Sequence, residues 1–188
     1  LALAFTALNY LVLAAYDLVG FAYVGHGLRR SYVMLTSFLA YAVANNISFA
    51  LLTGATVRYR FYARWGLTAP EISRIVIFYS STFWLGLLVL GGWSLLVVPL
   101  DDLVGGGSAG PGHPGQLLAR GGGVVLLLLA LAYALLPIVR RTPLALGRLK
   151  LSRLGLDGLT LDIPSPRLVF AQFAVSIVDW ALAVGVLY

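Results

Sequence analysis

Apolar residues fill four long stretches of this chain, 1–24, 72–100, 122–139 and 168–188. About 20 consecutive apolar residues carry a helix across the hydrocarbon core of a bilayer, so each stretch predicts a spanning helix. A fifth stretch, 31–57, has Asn45, Asn46 and Ser48 at its centre and ends in Thr53, Gly54 and Thr56. It reads either as one polar-centred span or as two half-length helices, 31–44 and 47–53, that enter and leave on the same side. Between the stretches, Leu67-Thr68-Ala69-Pro70-Glu71-Ile72 predicts a helix start near Ala69. Thr68 and Glu71 form a capping box, Leu67 and Ile72 a hydrophobic staple, and Pro70 sits in the first turn, where a missing N–H costs nothing. Residues 101–120 are rich in Gly and Pro and read as a flexible external connection. Over 147–163, leucines roughly alternate around Asp157-Gly158, the signal of a type I′ turn, and predict a small β-hairpin or an extended strand on the cytoplasmic face. No repeat of solenoid period is present.

Composition decides the solvent. Hydrophobic residues are 60% of the 188 and charged residues 11%, too apolar a mixture for a soluble fold of this size to hide. The sum is an all-α integral membrane protein, a polytopic helical bundle with a re-entrant helical hairpin and a small cytoplasmic β-hairpin. No cysteine is present, which excludes disulfides, Cys metal sites and thiol nucleophiles. The chain begins at Leu1 and ends within an apolar run, so it reads as a fragment, a partial transmembrane domain over 1–188. No basic region precedes the first run, so no signal peptide is expected there.

The net charge of +6 bears on orientation and on anionic lipid headgroups more than on nucleic acid, which is not an expected partner. If 31–57 crosses the membrane, three of the 13 Lys and Arg lie opposite the other ten. If it is a re-entrant hairpin, twelve lie on one side and only Arg120 on the other. The positive-inside rule favours the hairpin. The basic, cytoplasmic side then holds 26–30, 58–74 and 140–167, and both ends of the chain face outward.

Charge inside a span is expensive and needs a partner or a task. Asp17 lies about 10 Å and Asp179 about 18 Å from the inner ends of the first and last spans, too deep for a short side chain to reach the interface. The plain reading is that each hydrogen-bonds a neighbouring helix; the functional one is a substrate contact. Arg58-Tyr59-Arg60, with Phe61, Tyr62, Arg64 and Trp65, follows the broken segment. Composition alone makes this an ordinary juxtamembrane basic cluster. Its place beside broken backbone and the small residues Thr53-Gly54-Ala55 suits an anionic headgroup, because Arg offers phosphate two parallel donors. Asn45 and Asn46 are either interhelical glue or partners for backbone freed by a break. Neighbours cannot both face one way, so at least one of them is expected to satisfy backbone. His26 and His113 lack the partners of a metal site. Gly86, Gly91 and Gly92 read as a close-packing face, and the two triple-glycine runs are not phosphate loops. No nucleophile elbow, zinc signature or nucleotide fingerprint occurs, so neither catalysis by this chain nor a cofactor is expected.

Tyr16-Asp17, Asn45-Asn46, the block from Leu52 through Gly54, Val57, Arg58 and Arg60 to Tyr62, Gly66-Leu67-Thr68 and Val178-Asp179-Trp180 together resemble the lysylphosphatidylglycerol synthetase transmembrane region. This is the flippase half of the multiple peptide resistance factor family. The resemblance spans nearly the whole chain. It implies a protein of the bacterial cytoplasmic membrane that moves lysyl-phosphatidylglycerol from inner to outer leaflet and so confers resistance to cationic antimicrobial peptides. Its partners would be anionic and aminoacylated phospholipids, a fused or separate phosphatidylglycerol lysyltransferase domain and, as an open case, a second copy of itself. Asp17, Arg58 and Asp179 fall at the family's important acidic, basic and acidic positions, the last usually Glu. On this assignment Asp17 and Asp179 hold the lysyl ammonium groups and Arg58 the phosphate, with Arg60, Asn45 and Asn46 as further headgroup contacts. The rival classes are a transporter of another lipid or polyprenyl-linked substrate and a non-transporting membrane scaffold.

Overall fold

A computed structural model describes residues 2–46, 50–99, 114–139, 144–145 and 160–187. Six helices account for nearly all of them: α1 Ala2–Val24, α2 Arg30–Asn46, α3 Ala50–Arg64, α4 Ala69–Val97, α5 Pro114–Val139 and α6 Pro166–Leu187. Four are long and apolar enough to cross a membrane: α1, α4, α5 and α6. The chain is a multi-pass helical membrane protein. α1 packs against α2, α4 and α6; α3 lies against α2 and α4; α5 packs on the outside against α4 and α6.

The stretch 31–57 is a broken helical hairpin. α2 has 17 residues and α3 has 15, about 26 and 23 Å long and each short of the roughly 30 Å core. They run antiparallel, since the Tyr32 ring at the start of α2 stacks on Trp65 just past the end of α3 at 4.8 Å. Asn46, the last residue of α2, donates its side-chain N–H to the Ala42 carbonyl at 2.7 Å, one turn back in its own helix. The second limb differs from the expected 47–53. It starts at Ala50 and continues to Arg64, which puts Arg58 and Arg60 within a helix. Polar and small residues do not stop it. Thr56 Oγ1 donates back to the Leu52 carbonyl at 2.8 Å, and Gly54 is the notch where α2 comes close, a Cβ there lying 3.7 Å from that of Ala44.

α3 ends where its backbone requires glycine. Gly66 has φ +90°, the Leu67 N–H reaches the Tyr62 carbonyl and the Gly66 N–H reaches that of Ala63, together a Schellman motif. Two residues later the capping box starts α4, with the Thr68 N–H donating to Glu71 Oε2 at 2.7 Å. Leu67 and Ile72, the staple pair, join Phe21, Val33, Tyr62 and Ile75 in the apolar core at this end of the bundle.

α5 starts at Pro114, within the segment expected to be loop and ahead of its apolar run. Proline suits the first turn of a helix. The glycines that follow serve a close crossing: a Cβ on Gly123 would stand 2.7 Å from the Gly92 carbonyl oxygen of α4. Leu144–Ala145 (β1) and Thr160–Leu161 (β2) pair antiparallel, Leu144 with Leu161. A tight turn at Asp157-Gly158 would instead give Leu161 a partner just before that turn. Asp157 and Gly158 themselves lie outside the described residues.

Candidate functional site

Asp17, the acid in the first span, is fully buried, and α3 supplies its partner. Arg58 Nε lies 3.0 Å from both carboxylate oxygens of Asp17, and the Tyr62 hydroxyl donates to Oδ2 at 2.9 Å. Positions 58 and 62 share one face of α3. Arg58 is 1% exposed. It therefore does not stand in the headgroup zone as a juxtamembrane cation; it is a mid-helix charge inside the bundle, made tolerable by its counter-ion.

The rest of the Arg58 guanidinium is held on other sides. Its Cζ lies 4.7 Å from the ring centroid of Tyr41 on α2 and 4.2 Å from that of Tyr79 on α4. Nη1 donates to the Gly54 carbonyl at 3.4 Å. Nη2 is buried without a hydrogen-bond partner among the described residues. A buried donor left unmade is costly, and in native proteins it calls for an explanation.

On α1, adjacent residues point about 100° apart, so Tyr16 reaches α6 while Asp17 reaches α3. The Tyr16 hydroxyl donates to Asp179 Oδ2 at 2.9 Å, and Asn9 lines the same cavity as that carboxylate. The dyad Tyr16-Asp17 thus links the two acids without their touching.

A cavity of about 570 Å³ opens over this cluster, within the usual range of small-molecule sites. Its buried floor includes Tyr16, Arg58, Tyr79 and Asp179, and its exposed rim includes Trp84 and Asn45. Asp17 lies behind Arg58 and does not line the cavity. Asn45 does line it, whereas Asn46 is exposed and turned back to its own helix. Arg60 is exposed and outside the cavity: two residues on a helix lie on nearly opposite faces, so Arg58 and Arg60 cannot both enter.

The sequence reading missed Tyr41, Tyr79 and Asn9. The signal was position: Tyr favours the ends of spans, and Tyr41 and Tyr79 stand well inside their helices. A second polar cluster is also interhelical. Gln172 donates to Thr82 at 2.9 Å and accepts from Tyr133 at 2.8 Å, joining α4, α5 and α6 as glue. His26 faces Glu71, Nδ1 to Oε1 3.4 Å, and His113 lies outside the described residues. Chemically, the cavity combines a cationic donor, a carboxylate and an aromatic wall, which fits a charged amphiphile.

No family model matches the chain. It is 31% identical to the uncharacterized protein slr0712 of Synechocystis, over all of this chain and 53% of that protein. It is 29% identical to the inner membrane protein YbhN of Escherichia coli, over all of this chain and 54% of that protein. The chain spans about half the length of these curated relatives.

Proposed function

We propose that this chain holds the headgroup site of a lipid transporter in the bacterial cytoplasmic membrane, and that its cargo is an aminoacylated anionic phospholipid such as lysyl-phosphatidylglycerol, carried from inner to outer leaflet. The observation that carries the reading is the Arg58 Nη2 donor, buried and without a hydrogen-bond partner among the described residues, in a residue that lines a cavity together with Asp179. Arg58 contacts the phosphate and Asp179 an ammonium group. Asp17 takes a different role from the one the sequence suggested: it holds Arg58 and leaves the cation to Asp179. The charges balance on this assignment. Arg58 and Asp17 cancel, and a phosphodiester bearing two ammonium groups has one net positive charge for Asp179 to meet. The similarity to an inner membrane protein and the resemblance of Tyr16-Asp17, Arg58 and Asp179 to a lipid-flippase pattern support the same reading.

Asp179→Asn keeps an oxygen for the Tyr16 hydroxyl and removes the charge. It should lower transfer of lysyl-phosphatidylglycerol by tenfold or more and leave transfer of unmodified phosphatidylglycerol little changed. An impermeant amine reagent on liposomes containing the full-length protein reads the first, and a headgroup-labelled lipid the second. Equal rates in variant and wild type at equal protein abundance would sink the assignment. Absence of any leaflet transfer by the wild type would favour a scaffold.

The hairpin also supports a topology. The end of α1, the start of α2, the end of α3 and the start of α4 meet in one apolar core, and Arg74 of α4 lies 3.8 Å from Asp162, just ahead of α6. We assign this basic end to the cytoplasm. Single cysteines at positions 29 and 64 should both resist a membrane-impermeant maleimide added to intact cells. Labelling of one alone would mean that the hairpin crosses.

A further inference from the structure

We propose that Tyr41 and Tyr79 are positioning residues that lock the Arg58 guanidinium in a single orientation, keeping Nη2, its one nitrogen without a hydrogen-bond partner among the described residues, for a phosphodiester oxygen. This rests on the reading above that an anionic headgroup enters the cleft. The two ring centroids stand 6.3 Å apart and at 4.7 and 4.2 Å from Arg58 Cζ, which places the guanidinium in a corner of about a right angle. Asp17 occupies the Nε side and the Gly54 carbonyl takes Nη1. Four directions are thus filled by four groups from α1, α2, α3 and α4.

Such enclosure has a physical consequence for binding. A long Arg side chain normally loses rotamer freedom when it grips an anion, and here that loss is incurred in folding. The aromatic faces contribute further, because a cation against a ring is held more strongly when both are desolvated. The arrangement also discriminates. One nitrogen with two in-plane N–H groups beside a neutralised ion pair suits a phosphodiester anion, and the aromatic side chains Phe83, Trp84 and Trp180 around the cleft suit the apolar part of the same molecule. The clamp reaches across the break in the hairpin's architecture as well: Tyr41 belongs to α2 and Arg58 to α3, so the two limbs must stay packed for the donor to stay aimed.

Purified full-length protein in detergent, titrated with dihexanoyl-phosphatidylglycerol and, separately, with phosphate-free dihexanoylglycerol, tests the clamp. Fluorescence of Trp84 and Trp180, both lining the cleft, reports binding. Tyr79→Leu and Tyr41→Leu should each weaken the phosphate-bearing amphiphile by about tenfold. Tyr79→Phe and Tyr41→Phe, which keep the ring, should restore affinity to within about threefold. None of the four should move dihexanoylglycerol affinity. Tyr41 is only partly buried, so its Leu variant provides a folded protein if Tyr79→Leu does not. Phosphate-dependent binding by the wild type that survives both Leu substitutions would overturn the clamp alone, as would equal weakening of both amphiphiles, which marks a plain wall. Equal wild-type affinity for the two amphiphiles would overturn the anionic-headgroup reading itself.

Discussion

Asp17→Ala should destabilise the bundle by about 3–5 kcal/mol, the usual cost of removing one partner from a buried ion pair. Arg58 would remain 1% exposed with no carboxylate, and the Tyr62 hydroxyl would lose its acceptor. The loss should be largely reversed in Asp17→Ala/Arg58→Met, because a pair replaced together by apolar side chains leaves no charge stranded. Transport should not return in the double variant, since the donor is gone. Denaturant unfolding in detergent and leaflet transfer in liposomes measure the two quantities. A stable Asp17→Ala protein, or a double variant no more stable than the single one, would contradict the pairing as the reason for Asp17's burial. This outcome differs in kind from that of Asp179→Asn. One acid acts on stability through Arg58; the other acts on the headgroup with the fold kept.

Gly86→Ala should cut transport by an order of magnitude or more while the protein still inserts. A Cβ on Gly86 would collide with the Trp180 ring, lying 2.9 Å from Nε1 and hard against Cδ1, and 3.0 Å from Ser176 Cβ. A rigid indole cannot give locally, so relief requires Trp180 to leave its notch, at a cost of about 1–3 kcal/mol. It then loses its N–H bond to the Phe83 carbonyl and shifts in the cavity wall. Gly91→Ala on the same helix is the control. Nothing lies within 4 Å of its would-be Cβ, and alanine favours the helix by up to about 1 kcal/mol. Transport rates and the tryptophan emission maximum would check both. Wild-type behaviour of Gly86→Ala would show that Trp180 has other room.

Particular residues show how far the chain could be read unaided. The helix start at Ala69 was legible because every part of it is local: Thr68, Pro70 and Glu71 lie within one turn. The break beside Asn45-Asn46 was legible because polar groups in an apolar run must be satisfied nearby, and Asn46 does this within its own turn. The close-packing role of glycine in α4 was legible for Gly92, which meets Gly123, and for Gly86, but not for Gly91, because spacing does not say which glycines meet a neighbour. The extent of α3 and the beginning of α5 were misjudged for one reason. Polar and glycine positions were taken as helix ends, whereas in a bundle they are where helices touch.

The sequence by itself determined the solvent, the helical class, four spans and the oddity of the fifth stretch, because hydrophobic run length and local caps are properties of neighbouring residues. It also singled out Asp17 and Asp179, because charge in hydrocarbon is costly wherever it falls, and Arg58, because it follows a broken segment with small residues beside it. Only the tertiary structure decided what each one touches. Asp17 and Arg58 are 41 positions apart, and Tyr16 and Asp179 are 163 apart. Whether a buried acid faces another side chain or an open cavity depends on how helices rotate and pack, which is set by the summed contacts of whole faces and not by the acid's own surroundings in the chain. That packing put Asp17 behind Arg58, Asp179 at the cavity floor and two tyrosines against the guanidinium.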